Sequence, residues 1–104
     1  MTGPAKLLLI YVDETDRWDE MPLYEAIVRK LRQMGANGAT VQTGMMGFGT
    51  HGDVHRKRLF GVSDDRPVTI QVCDTSEHIS AFLPAVRHMV PEGLIIVLDC
   101  DRVI

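Results

Sequence analysis

Residues 44–58 hold the densest group of side chains able to do chemistry. Gly44-Met45-Met46-Gly47-Phe48-Gly49 places three glycines within six residues. Glycine lets backbone N–H groups approach an anion closely and supplies the positive φ that an anion nest uses. His55-Arg56-Lys57-Arg58 follows. Arginine grips a phosphate or carboxylate through two parallel hydrogen bonds, and lysine adds a point charge. Gly44, Gly47, Gly49, Arg56, Lys57 and Arg58 are therefore the candidate ligand-binding set. No Gly-Lys-Ser/Thr follows the glycines, and their spacing is not that of a dinucleotide fingerprint. A plainer reading makes the glycines a bulge and bend where a strand leaves its sheet. The same reading makes the basic run a solvated loop that resists edge pairing.

Other candidates are weaker. His51 and His55 are four residues apart and would share a helix face, but Asp53 is the only carboxylate near them, which leaves a metal's ligand set incomplete. Asp13, Glu14, Asp16, Asp19 and Glu20 crowd one stretch without the turn glycine of a calcium loop, so they read as a solvated loop. Trp18 lies among them, suited to cap the edge of the core or to sit at a subunit contact. Met34, Met45, Met46 and Met89 read as core filler. Cys73 and Cys100 form no Cys-x-x-Cys pair and read as free thiols packing as small hydrophobes. Ser63, Ser76 and Ser80 fall at turn, cap and helix positions, and no motif ties them to a base. The chain thus reads as a binding module rather than an enzyme.

These residues need a scaffold. Lys6–Val12 is apolar almost throughout and short, which predicts a strand buried on both faces. Residues 13–20 read as a loop. Pro22 suits the first turn of a helix carrying Leu23, Ala26, Ile27, Leu31 and Met34 at helical spacing, with Gly35 as its stop. Ala39–Thr43 alternates as a second strand. Residues 44–66 form a connection longer than the roughly 12–15 residues usual for loops without a function. Pro67–Cys73 alternates cleanly, with Val68, Ile70 and Val72 on one face. Asp74-Thr75-Ser76 offers helix caps. The stripe Ile79, Phe82, Leu83, Val86 and Val90 defines the second helix, in which Pro84 predicts a kink or a first segment of one turn. His78 and His88 lie on it, expected exposed. Leu94–Leu98 is the last strand.

The 104 residues predict one domain, with 45% hydrophobic and 24% charged residues and a net charge of −3. That charge gives no footprint for nucleic acid. No apolar run approaches the roughly 20 residues of a membrane helix, and the first residues lack a signal peptide's basic start. The expected location is the cytoplasm.

The element order βα-ββ-αβ predicts an α+β, ferredoxin-like βαββαβ sandwich spanning 1–104. Right-handed crossovers put both helices on one face of the sheet. The first and last strands are apolar on both faces, whereas a solvated sheet face alternates. An apolar patch of several hundred Å² seldom stays exposed on a monomer. The chain is therefore expected to pack its sheet against copies of itself in a closed oligomer.

With that order in view, the chain resembles the small bacterial proteins grouped as domain of unknown function 190, which are similar to PII signalling proteins. The resemblance is carried by Pro22-Leu23-Tyr24-Glu25-Ala26-Ile27-Val28, Gly38-Ala39-Thr40-Val41, Gly44-Met45-Met46-Gly47-Phe48-Gly49 and Arg102-Val103-Ile104. It implies a PII-like fold, a homotrimer, and a long loop between the second and third strands that contacts a protein target. It further implies an adenine nucleotide in the clefts between subunits, setting the conformation of the loop. Some relatives occur alongside fluoride exporters, which makes a membrane transporter one candidate target. True PII proteins carry a glycine- and lysine-containing loop before the last strand and arginines after it. This chain has Pro91-Glu92-Gly93 and a lone Arg102 there, so much of that phosphate grip is missing. Two alternatives stay open. One is a metal-handling protein or small enzyme using His51 and His55. The other is an oligomeric scaffold without a ligand.

Overall fold

A computed structural model describes residues 2–48 and 66–104. Its elements run β1 (Gly3–Asp13), β2 (Arg17–Trp18), β3 (Met21–Pro22), α1 (Leu23–Gln33), β4 (Thr40–Thr43), β5 (Pro67–Asp74), α2 (Ser76–Met89) and β6 (Leu94–Arg102). The main sheet has the order β4-β5-β1-β6 with every neighbouring pair antiparallel. Strands β1 and β4 therefore run parallel with β5 between them, as do β5 and β6 with β1 between them. This is the expected split βαβ, ferredoxin-like arrangement.

Alternation in β1 and β5 builds the core. Leu8, Ile10 and Val12 pair with Val72, Ile70 and Val68 and are buried on one face. Leu23, Ala26, Ile27 and Leu31 of α1, with Ile79, Phe82, Val86 and Met89 of α2, complete the same cluster, so both helices cover that face. The other face carries Leu7, Leu9 and Tyr11 opposite Leu98, Ile96 and Leu94, and no element among the described residues covers it.

Helix α1 starts without a side-chain cap at Pro22. Its first amide instead donates to the Asp16 carbonyl at 2.8 Å. It ends in a Schellman motif: Gly35 N–H donates to Arg32 and Ala36 N–H to Leu31. Gly35 takes φ +95°, which glycine adopts without penalty.

Four expectations are corrected. Residues 13–20 are not all loop, because Arg17–Trp18 pairs with Met21–Pro22 in a small second sheet. Of the two outcomes expected of Pro84, confinement of the first segment to one turn does not occur, since the helix is continuous over 76–89. The carbonyl that Pro84 leaves without its amide belongs to exposed Ser80, where solvent can satisfy it. Of the methionines read as core filler, only Met89 is buried; Met34, Met45 and Met46 are exposed. Leu83 is only partly buried, and Met89 takes its place in the α2 stripe.

Candidate functional site

The glycine segment leaves the sheet at its β4 edge. Gly44 N–H donates to the Pro67 carbonyl at 2.7 Å, extending the β4–β5 pairing by one step. A Cβ on Gly44 would lie 2.7 Å from Pro67 Cγ, and one on Gly47 3.2 Å away. Glycine is therefore used here for close approach to the Pro67 ring. Neither residue adopts left-handed backbone, so Gly44 and Gly47 do not show the positive φ of an anion nest. The side chains between and beyond them point outward: Met45, Met46 and Phe48 are 93%, 70% and 81% exposed. Gly49, His51, His55, Arg56, Lys57 and Arg58 lie outside the described residues.

A second polar centre escaped the sequence reading. Asp74 is the one buried polar residue among those described, at 0% exposure. Its carboxylate accepts from Thr75 N–H (2.7 Å), Asn37 N–H (3.1 Å) and the His78 ring Nδ1 (2.7 Å). Burial alone raises the carboxyl's pKa, but the Thr75 and Asn37 amides together with His78 outweigh it and hold it below its ordinary value. An ionised Asp74 is acceptor-only, so His78 Nδ1 carries the proton between them. Thr75 Oγ1 accepts from His78 N–H at 3.1 Å and caps α2, as the sequence predicted. The signal for Asp74 was present in the strand alternation. Val68, Ile70, Val72 and Asp74 follow one period of two, which places Asp74 on the buried face.

The acidic stretch is occupied by its own turn. Asp13 accepts from the Thr15 amide and hydroxyl, and Asp16 accepts from the Asp13 amide. Trp18 packs on the edge of the core and meets the His88 ring edge-on, with centroids 6.0 Å apart. His78 and His88 are exposed, as expected. Lys6 pairs with Asp99 at the far end of the sheet. A shallow pocket of about 290 Å³ opens there, lined by Lys6, Ser76, Asp99 and Asp101 among others, and it does not include Gly44 or Gly47.

On the open face, Cys73 of β5 and Cys100 of β6 turn toward each other across β1, with Sγ atoms 4.0 Å apart. Both are free and half-buried. Burial, Cys73 and the Asp101 and Asp99 charges push the Cys100 thiol above its ordinary value. Among the described residues, no group of three or more His, Cys, Asp and Glu is placed to hold a metal ion.

The DUF190 family model, described as Uncharacterized ACR, matches residues 5–102. The chain belongs to the DUF190 family. A UPF0166 protein of Methanocaldococcus jannaschii is 37% identical over 97 residues, covering 92% of this chain and 89% of that protein. A UPF0166 protein of Aquifex aeolicus is 28% identical over 96 residues, covering 92% and 90%. Among solved structures, CPII from Thiomonas intermedia, a nitrogen regulatory PII-like protein bound to ADP, AMP and bicarbonate, superposes with a TM-score of 0.70. It is 18% identical, with 97% of each chain covered. The fold of this DUF190 chain is thus PII-like, as the resemblance implied. No helix among its described residues is long and apolar enough to cross a membrane.

Proposed function

We propose that this DUF190 chain is a PII-like regulatory protein. It assembles with copies of itself through the open sheet face, as a trimer on the family resemblance. It binds a small anionic ligand, with an adenine nucleotide as the class, at the boundary between copies. Gly44, Gly47, Gly49, Arg56, Lys57 and Arg58 are the residues assigned to that ligand. The 44–66 segment then engages a protein target in the cytoplasm, with a membrane transporter as the candidate.

The observation that carries this reading is the open face. Leu94 and Leu98 are 52% and 47% exposed there, beside Leu7, Leu9 and Ile96. Apolar surface of this extent is stabilised when a second body removes it from water. The CPII structure with ADP and AMP supports the choice of nucleotide. Arginine and lysine side chains suit a phosphate, and exposed Met45, Met46 and Phe48 give the same segment an apolar surface for a protein target. A ligand that prefers one arrangement of the segment shifts its population, and with it the affinity for the target.

Thermal unfolding against ADP, AMP, ATP and bicarbonate tests the ligand. At about 100 times its dissociation constant, a ligand of the folded state adds roughly 2.7 kcal/mol, a rise of about 10 °C or more for a domain of this size. The rise should vanish when Arg56, Lys57 and Arg58 are all replaced by Ala. A rise of equal size in that variant removes those residues from the site, and no rise with any of the four ligands defeats the nucleotide reading.

A further inference from the structure

We propose that Cys73 and Cys100 form a two-thiolate site for a soft monovalent cation, Cu(I) being the natural occupant by chemistry. The pairing is not a disulfide in waiting. The two cysteines sit on strands separated by β1, Cys73 opposite Leu7 and Cys100 opposite Ala5. Two strand spacings of about 4.8 Å therefore hold their Cα atoms beyond roughly 7 Å even before the offset along β1 is added. A disulfide requires less than about 7 Å. Oxidation to a disulfide would therefore require the sheet to come apart.

The 4.0 Å between the Sγ atoms fits a different bridge. Two metal–thiolate bonds of a length near the roughly 2.3 Å of zinc–sulfur span about 4.0–4.6 Å, depending on the angle at the metal. Small Ala5, paired with Cys100 on β1, leaves room for the two thiols to lean together. The surroundings select the cation. Leu7 and Leu98 flank the thiols on this face, while Asp99 and Asp101 alternate to the other face, where Asp99 pairs with Lys6. Zinc needs about four ligands and finds two. A soft cation that prefers thiolate and accepts two ligands is satisfied by the pair alone.

Charge is also met. Two S–H bonds break, two S–metal bonds form and two protons pass to solvent. The cation remains monovalent, so the product carries one negative charge. Arg102 follows Cys100 by two residues on β6 and so shares its face, although its Nε donates to the Ile104 carbonyl oxygen at 2.7 Å rather than facing the thiols.

Anaerobic titration of the reduced, full chain with Cu(I), buffered by a chromogenic competitor, tests the site. The expected result is one Cu(I) per chain, weakened at least tenfold by Cys73→Ser and by Cys100→Ser, with no Zn(II) retained under the same conditions. Sulfur should be the only ligand type in the X-ray absorption spectrum. Equal Cu(I) affinity in the serine variants would move the ion to the methionines or histidines and overturn the assignment, as would stoichiometric Zn(II). Should either variant fail to fold, the parent answers instead. One equivalent of Cu(I) must protect both thiols from alkylation, and alkylation at the metal-free rate overturns the site. The site does not rest on the nucleotide reading, but it lies on the face proposed for self-assembly. Titration and alkylation are therefore run on the Leu98→Lys single chain as well as on the parent, and failure of both to take up one Cu(I) overturns the site.

Discussion

Along β1, Leu8 and Ile10 are wholly buried, whereas Leu7 and Leu9, each one residue away, keep part of their surface. The side chains are of the same kind; only the face differs. The helix-covered face is a completed core in which α1 and α2 interleave with β1 and β5. The opposite face is apolar along β1 and β6 and has no cover among the described residues. Such a sheet is finished on one side by its own helices, and the proposed self-assembly would finish the other.

Substitution on the covered face should have the largest effect. Phe82 is 1% exposed and among the largest fully buried side chains. Phe82→Ala should cost about 3–5 kcal/mol through lost transfer energy and the cavity left behind. Chemical denaturation would measure it, and a cost below about 1 kcal/mol would mean that the helices do not form a tight second layer.

An intermediate effect is expected at Asp74, where the covered face ends in a charge. Removing the carboxylate with Asp74→Ala leaves the Thr75 amide without its acceptor and frees Asn37 and His78, at a cost of about 2–3 kcal/mol. The pH dependence follows from the lowered pKa. A carboxyl held below its unfolded value of about 3.9 contributes stability that is complete above that value. The contribution is lost as pH falls through the folded pKa. Stability measured from pH 6 downward should therefore fall below about pH 4 in the parent and fall less in Asp74→Ala. Parallel curves would show that the carboxylate's partners do not favour its charged form.

Much of this architecture was legible because it rests on periodicity. The period of two in Val68, Ile70 and Val72 and the helical spacing of Leu23, Ala26, Ile27 and Leu31 both follow from burial on one face. What escaped depends on pairings too short to show a period or on contacts distant in sequence. The short pairing of Arg17–Trp18 with Met21–Pro22 has too few residues to show a period. The link from Asn37 to Asp74 spans 37 positions, and the meeting of Cys73 with Cys100 depends on which strand lies between them. For the glycine segment, spacing indicated a bend but not its cause. The Pro67 ring accounts for the glycine, because it limits the space at Gly44 rather than its backbone angles.

The sharpest contrast between faces is expected from one substitution made twice, and its open-face member has the smallest effect on the single chain. Leu8→Lys places a charge in a site at 0% exposure and should prevent folding at ordinary temperature. Leu98→Lys acts on a side chain 47% exposed on the open face. Its cost to the isolated chain should lie within about 0.5 kcal/mol, the range of surface changes, because the lysine stem covers the same apolar neighbours while its charge reaches water. Its effect should appear in sedimentation instead. Like charges brought together at a self-interface oppose association, so the parent should sediment as an oligomer and Leu98→Lys as a folded single chain. If the variant keeps the parent's oligomeric mass with an unchanged denaturation curve, the open face is not where copies meet. The hydrophobicity of β6 would then need a different partner.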